Sequence, residues 1–400
     1  MAPFPPPPVN TIDWSNVGFK VREVNGHVES HYSVKTGKWT PPQFVTDPFI
    51  RIHGMSPALN YGQQAYEGLK AFRTPSGDIQ IFRPDRNAAR MQHSAEFISI
   101  PPVPTEVFLE AVKAAVALNA EYVPPHETGA AMYIRPQIYG SSAQLGLNPP
   151  EEYMFCVYVL PTGVYHGTHP VNCLILDDFD RAAPNGTGSA KVGGNYAPVL
   201  RWSDKARTQG YGITLHLDSA THSEVDEFST SGFIGALTDG ENVTLVVPDS
   251  KNVIDSVTAK SITEIGESFG WKVEKRSIKY TELPQFSEVM AAGTAAALVP
   301  IRSISRPFDP ASPASISSAV KQHPRLAAEK NQEKVTYIKE DQEDAGPICL
   351  KLLAQLKGIQ LGKVKDEFGW CAPVSETDGS KVSGAPNGAN GAAQTVDQMD

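Results

Sequence analysis

A break near residue 165 constrains the architecture more than any other feature. Two strand-like stretches, Ala131 to Tyr139 and Tyr153 to Leu160, alternate or run apolar. They are followed by Pro161-Thr162-Gly163-Val164-Tyr165-His166-Gly167-Thr168-His169-Pro170. Proline and glycine at that density interrupt helix and strand alike, so residues 161–170 read as an interdomain linker. Before it, Lys20 to Tyr32 predicts a hairpin turning at Asn25-Gly26, Asp85 to Ile98 reads as a helix that begins just after Pro84, and apolar spacing near the helical period predicts a second helix over Glu106 to Tyr122. After it, Val171 to Leu176, Ile213 to Asp218, Val243 to Val247, Trp271 to Ile278 and Ala295 to Ile301 are strand candidates. Ser261 to Phe269 and Ile348 to Leu356 read as helices. A chain of 400 residues, 40% hydrophobic and 20% charged, has enough apolar material for two mixed α/β domains with separate cores.

The expected layout is a flexible N-terminus over 1–12, a small N-terminal domain over 13–160, the linker at 161–170 and a large domain over 171–374. The tail, 375–400, is Gly, Ala, Asn, Ser and Asp with few large apolar groups, which predicts disorder. The formal charge of −9 comes from 35 basic and 44 acidic residues without a basic run, so nucleic acid is not an expected partner. Cys156, Cys173, Cys349 and Cys371 form no Cys-x-x-Cys and read as buried free thiols of a reducing compartment. The proline-rich start lacks a signal-peptide or presequence pattern, and no apolar run reaches membrane-spanning length. A cytoplasmic protein is expected.

The chemistry concentrates at Asn185-Gly186-Thr187-Gly188-Ser189-Ala190-Lys191-Val192-Gly193-Gly194-Asn195-Tyr196. A single amine framed by glycines reads either as a reactive lysine able to form a Schiff base or as a surface lysine in a glycine-rich loop. Nucleotide motifs fail on spacing. A P-loop needs Ser or Thr immediately after the lysine, where Val192 stands, and a dinucleotide fingerprint needs glycine at 191. His166 with His169, and His216 with His222, Asp218 and Glu224, lack accepted ligand spacings, so no metal is expected.

Four motifs in order carry a resemblance: Leu59-Asn60-Tyr61-Gly62-Gln63-Gln64-Ala65-Tyr66-Glu67-Gly68-Leu69-Lys70-Ala71-Phe72; Phe82-Arg83-Pro84-Asp85-Arg86-Asn87-Ala88-Ala89-Arg90-Met91; Tyr133-Ile134-Arg135-Pro136; and the segment around Lys191. Together they resemble the branched-chain aminotransferases, pyridoxal-phosphate enzymes of fold type IV, over about Asp13 to Val374. The resemblance implies two α/β domains with pyridoxal 5'-phosphate at their interface and Lys191 as both its Schiff-base anchor and the proton carrier. Arg90 would hold the phosphate, with the turn at Val257-Thr258 and with Thr294; Arg83 and Arg86 are surface or structural. Tyr196 would sit by the ring's phenolic oxygen. Tyr61, Tyr133, Arg135, Thr294 and Ala295 would face the substrate, Arg135 taking the side-chain carboxylate of 2-oxoglutarate or glutamate.

The ring also needs a carboxylate against its nitrogen. Family spacing selects Glu227, although Ser223-Glu224-Val225 looks closer to the family's Thr-Glu-Val, so Glu224 stays an alternative. Gly232 stands where the family usually has asparagine, which implies altered packing near the ring. The cysteine pair of some animal relatives has no counterpart after Thr294. A homodimer is implied, each site receiving a loop from its neighbour, here Gly140 to Asn148. The implied function is amino transfer between a branched-chain or related aliphatic L-amino acid and 2-oxoglutarate. Alternatives are a transaminase of an unusual aliphatic 2-oxo acid for fungal peptide secondary metabolism, a lyase on the same fold, and a non-catalytic binding protein on a degenerate scaffold.

Overall fold

The computed structural model describes residues 3–164, 169–307, 323–329 and 332–385. It divides into two compact units, Met1–Val164 with Gln360–Asp400, and Tyr165–Ile359. The chain past Ile359, expected to finish the large domain, therefore returns to the first unit.

In that unit, nine strands among the described residues form one sheet. They are β1 (His27–Ser33), β2 (Lys38–Trp39), β3 (Gln43–Val45), β4 (Gln64–Tyr66), β5 (Leu69–Arg73), β6 (Ile79–Phe82), β7 (Ala131–Gly140), β8 (Glu152–Thr162) and, from the far end of the chain, β19 (Cys371–Val374). The main order is β19-β6-β5-β7-β8-β1-β2. Along β7 the even-numbered residues from Met132 to Ile138 are buried while Tyr133, Arg135, Gln137 and Tyr139 are half-buried. This period of two puts one face of the sheet in the core and leaves the other polar. Helices α2 (Pro84–Phe97) and α3 (Thr105–Ala117) cover the core face, where Phe108 and Phe155 are fully buried. A short helix, α1 (Pro57–Tyr61), precedes β4.

The second unit carries β9 (Val171–Ile175), β10 (Ile213–Leu217), β11 (Val225–Phe228), β12 (Gly232–Asp239), β13 (Asn242–Pro248), β14 (Lys272–Arg276), β15 (Glu288–Gly293), β16 (Ala297–Pro307), β17 (Leu326–Glu329) and β18 (Gln332–Thr336). Their order is β11-β10-β9-β16-β15-β12-β13-β14, with β18 on β16 and β17 on β18. Helix α4 (Leu200–Thr208) follows the lysine loop, and α5 (Val257–Ser268) packs on β12, β14 and β15. Helix α6 (Pro347–Gln360) starts where the Ile348 and Cys349 N–H groups each donate to the Glu288 carboxylate at 2.9 Å. That carboxylate satisfies two otherwise orphaned first-turn donors.

Several sequence expectations need correction. Asn25-Gly26 is not a hairpin turn: the β1–β2 turn runs from Val34 to Gly37 instead, closed by the Tyr32↔Trp39 and Ser33↔Lys38 pairs. The Asn25 side chain donates to the Leu118 carbonyl and Glu121, and a Cβ at Gly26 would lie 2.3 Å from the Val45 carbonyl oxygen. Helix α3 stops at Ala117, because the Asn119 amide caps it by donating to the Ala115 carbonyl. Pro161 and Thr162 belong to β8 rather than to the linker, and residues 165–168 of that linker lie outside the described residues. The N-terminal segment is tied down where described: the Val9 N–H donates to the Glu121 carbonyl, and Arg73 donates to the Pro6 carbonyl. The expected loose tail begins with a helix, α7 (Glu376–Ser380), whose N-cap Ser375 and Asp378 form a reciprocal capping box. Residues 386–400 lie outside the described residues.

Candidate active site

The loop carrying Lys191 is folded back on itself by Asn195. The Asn195 amide donates to the carbonyls of Thr187 and Ala190 at 2.7 and 2.9 Å, while the Thr187 hydroxyl donates to its Oδ1 at 2.9 Å. Gly188 allows the loop to seat: a Cβ there would stand 2.3 Å from the Asn252 carbonyl oxygen and 2.4 Å from Ala182 Cβ. The clasp leaves Lys191 half-buried, its Nζ donating to the Tyr196 hydroxyl at 3.0 Å. Burial pushes that hydroxyl up, but the Lys191 and Arg181 cations outweigh it and hold it below its ordinary value.

Glu227 lies on β11, buried, 2.5 Å from the Arg181 guanidinium, and accepts the Ile254 N–H at 3.3 Å. Burial is the largest influence on its carboxyl and pushes it up to about 7, against the opposing pull of Arg181. Glu224 occupies a different environment. It faces solvent, ion-pairs with Lys279 and sits in an isolated bridge with that residue. Sequence reasoning gave Arg181 no role; the available signal was its place in Asp180-Arg181-Ala182-Ala183-Pro184, ten residues ahead of Lys191.

Behind the ion pair, His216 stands directly across from Glu227 in the β10–β11 ladder, with Nε2 3.2 Å from the Ser229 hydroxyl. Burial, reinforced by Arg181, pulls its imidazole down to about 3. An unfolded histidine takes its proton near 6.5, so acid favours the unfolded chain by about 1.4 kcal/mol per pH unit below that point. At pH 5 the penalty is about 2 kcal/mol. His216→Gln is therefore expected to lose less stability than the wild type between pH 7.5 and pH 5 in urea unfolding. Parallel losses in the two proteins would contradict a neutral buried imidazole.

Val257 and Thr258 are the first two residues of α5, after the N-cap Ser256, whose hydroxyl accepts the Ala259 N–H at 3.2 Å. First-turn amides have no intrahelical acceptor and, with the helix dipole, favour an anion. Gly232 sits against this turn: a Cβ at that position would lie 3.2 Å from Ser256 Cβ and 3.5 Å from Ala259 Cβ. Thr294 and Ala295 occupy the tight turn between β15 and β16, closed by the Gly293↔Ala297 pair.

The remaining candidates belong to the first unit. Arg90 on α2 is held by Glu67, which is fully buried, through Nε and Nη2, each 2.7 Å from a different carboxylate oxygen. Asn87, one turn earlier, donates to the same carboxylate at 2.7 Å. Sequence reasoning quoted Glu67 and Asn87 without giving them a role. Arg83 is structural: it is buried, with its guanidinium 4.6 Å from the Trp370 ring centroid. On the polar face of β7 the Arg135 guanidinium lies 4.9 Å from the Tyr66 ring and 5.1 Å from that of Tyr133, and it donates to the Tyr133 hydroxyl at 3.1 Å. Tyr61 is exposed at the end of α1, its hydroxyl donating to the Leu145 carbonyl.

The structure thus brings Lys191, Tyr196 and Glu227 together in one unit, and Tyr133 with Arg135 in the other. Among the described residues no group of three or more His, Cys, Asp or Glu side chains could hold a metal ion, and no helix is long and apolar enough to cross a membrane. Cys156, Cys173 and Cys349 are buried free thiols, and Cys371 is half-buried.

An amine beside a phenol, a buried acid and a helix N-terminus form a donor set suited to an aldehyde-bearing pyridine phosphate. Comparison with known proteins agrees. The family model for amino-transferase class IV matches residues 64–304. Aminotransferase poxL of Penicillium oxalicum is 53% identical over 380 residues, covering 94% of this chain and 97% of the relative. Branched-chain amino acid aminotransferase gloG of Glarea lozoyensis is 56% identical over 306 residues, covering 76% and 86%. Among solved structures, the branched-chain amino acid aminotransferase of Escherichia coli superposes with a TM-score of 0.67 at 22% identity, over 87% of this chain and 99% of that one. The branched-chain amino acid aminotransferase of T.th. with pyridoxamine 5'-phosphate gives 0.65 at 23%, over 88% and 99%. These likenesses show the fold, that of the fold type IV enzymes.

Proposed function

The chain belongs to the class IV aminotransferases, and from that premise we propose that it moves an amino group between an aliphatic, branched-chain-like L-amino acid and 2-oxoglutarate. The family's cofactor is pyridoxal 5'-phosphate. When bound, it supplies an aldehyde that condenses with amines and a ring that withdraws electrons from the reacting carbon. Lys191 Nζ, oriented by the Tyr196 hydroxyl, would hold the aldehyde and, once freed by an incoming amino acid, would carry the proton taken from its Cα. Glu227 would supply the carboxylate against the ring nitrogen. In the second unit the first turn of α5 would hold the phosphate, and in the first unit Arg90, its guanidinium fixed by both oxygens of Glu67, is the cation suited to a phosphate.

The observation that carries the substrate class is Arg135 between Tyr66 and Tyr133. A guanidinium fork pairs with a side-chain carboxylate, as in 2-oxoglutarate, while the flanking aromatic surfaces receive an aliphatic chain. With glutamate as donor, aliphatic 2-oxo acids are expected to be aminated faster than pyruvate or aromatic 2-oxo acids. Absence of transfer from glutamate to any aliphatic 2-oxo acid would sink this reading. We further propose that the physiological acid is an unusual aliphatic one used in fungal peptide secondary metabolism. What supports it is that the aminotransferases 53% and 56% identical to this chain are fungal. The same series, extended in chain length, tests it: a sharp optimum at the 2-oxo acids of valine, leucine and isoleucine contradicts it.

We also propose a homodimer. Leu145 and Leu147, 75% and 86% exposed, project from the loop after β7 that Tyr61 holds by its backbone, and apolar side chains so placed suit a partner surface. Sedimentation equilibrium should return twice the chain mass; a fully active monomer is the contrary result.

A further inference from the structure

The two buried charges nearest each other in the second unit are Arg181 and Glu227, whose side chains are 2% and 5% exposed. Arg181 ion-pairs with the carboxylate through Oε1, and the Ile254 N–H donates to that same oxygen at 3.3 Å. Among the described residues Oε2 accepts no hydrogen bond. Arg181 Nη1 also donates to the Gly188 carbonyl at 3.3 Å, which ties the acid to the loop that presents Lys191.

We propose that Arg181 is a positioning residue that keeps the proton shared by Glu227 Oε2 and the cofactor ring on the nitrogen. The proposal rests on Glu227 being the partner of that nitrogen. A carboxylate and a pyridine nitrogen compete for one proton, and the weaker base loses it. A guanidinium on Oε1 stabilises the anion and weakens it as a base, and arginine does not surrender its own proton. The other groups influencing Glu227 are the Asp226 carboxylate, which strengthens it as a base, and the Lys191 ammonium, which weakens it. Tyr196 lies beside Lys191, and His216, across the ladder, remains neutral and adds no second cation. Arg181 is thus the permanent positive charge in contact with the acid. The proton only changes position between oxygen and nitrogen, so no further reactant is required.

The test uses the holoenzyme loaded with pyridoxal phosphate labelled with ¹⁵N in the ring, whose nitrogen resonance separates pyridinium from pyridine. Wild type is expected to show pyridinium at neutral pH. Arg181→Gln should move the signal toward pyridine, with recovery as pH is lowered and kcat falling more than KM rises. Arg181→Lys, which keeps the charge, should stay near wild type. A wild-type signal in Arg181→Gln across the pH range overturns the proposal, and so does an Arg181→Lys signal at the pyridine position, which can be read even if the glutamine variant does not fold. Glu227→Gln separates the premise from the inference. If it leaves the nitrogen protonated, the assignment of Glu227 fails and the proposal with it; if it moves the signal and Arg181→Gln does not, Arg181 alone is misassigned.

Discussion

Lys191→Ala is expected to abolish amino transfer while preserving the fold. The substitution removes the only amine on a loop whose shape is maintained by other groups, the Asn195 clasp and the close seat of Gly188. Its structural cost includes the Tyr196 hydroxyl bond, about 1 kcal/mol. Its chemical cost includes the covalent anchor and the proton carrier together. Circular dichroism and denaturant midpoint should resemble wild type while single-turnover reaction with an amino acid is lost; retained turnover would remove Lys191 from the mechanism. The variant should still bind pyridoxal phosphate through its phosphate, and titration of the apoprotein checks this. Adding Arg90→Lys to it should weaken that binding. Lysine is the better probe there, because alanine would leave the Glu67 carboxylate buried without its cation, a loss of about 3–5 kcal/mol.

The second large effect separates two glutamates three residues apart. Glu227→Gln is expected to lower kcat by about a hundredfold or more, equivalent to roughly 2.7 kcal/mol of barrier, whereas Glu224→Gln should cost at most about tenfold. The reason lies in their surroundings. Glu227 is buried against Arg181, where a charge acts strongly, while Glu224 pairs with Lys279 at the surface, where ion pairs contribute little. Both variants should be assayed at saturating cofactor, because the glutamine leaves Arg181 without its carboxylate. The reverse ranking would place the ring acid on Glu224, three residues earlier and just ahead of β11.

Much of the chemistry was legible before any coordinates, and so were the long elements. Helix α2 was readable because Pro84 sets its start and because Ala88, Met91 and Ala95 repeat at helical spacing; β7 was readable because Tyr133, Arg135, Gln137 and Tyr139 alternate with buried residues. Strands such as β5 and β12 escaped notice. All five residues of β5 are buried, so the alternation that marks a half-exposed strand is missing, and β12 begins at a glycine.

What local sequence determined by itself is the set of reactive groups and their identities: one glycine-framed lysine, an arginine in a proline-started helix, two glutamates in a short acidic stretch. Those are properties of side chains and of near neighbours along the chain, and they need no fold to be recognised. Which glutamate is buried, that Arg181 rather than a nearer cation meets it, and that Glu67 fixes the plane of Arg90 were decided only by tertiary structure. Each depends on strands and loops distant in sequence closing around a charge. Burial is a property of what surrounds a group, and a carboxylate removed from water requires a partner from wherever the fold can supply one.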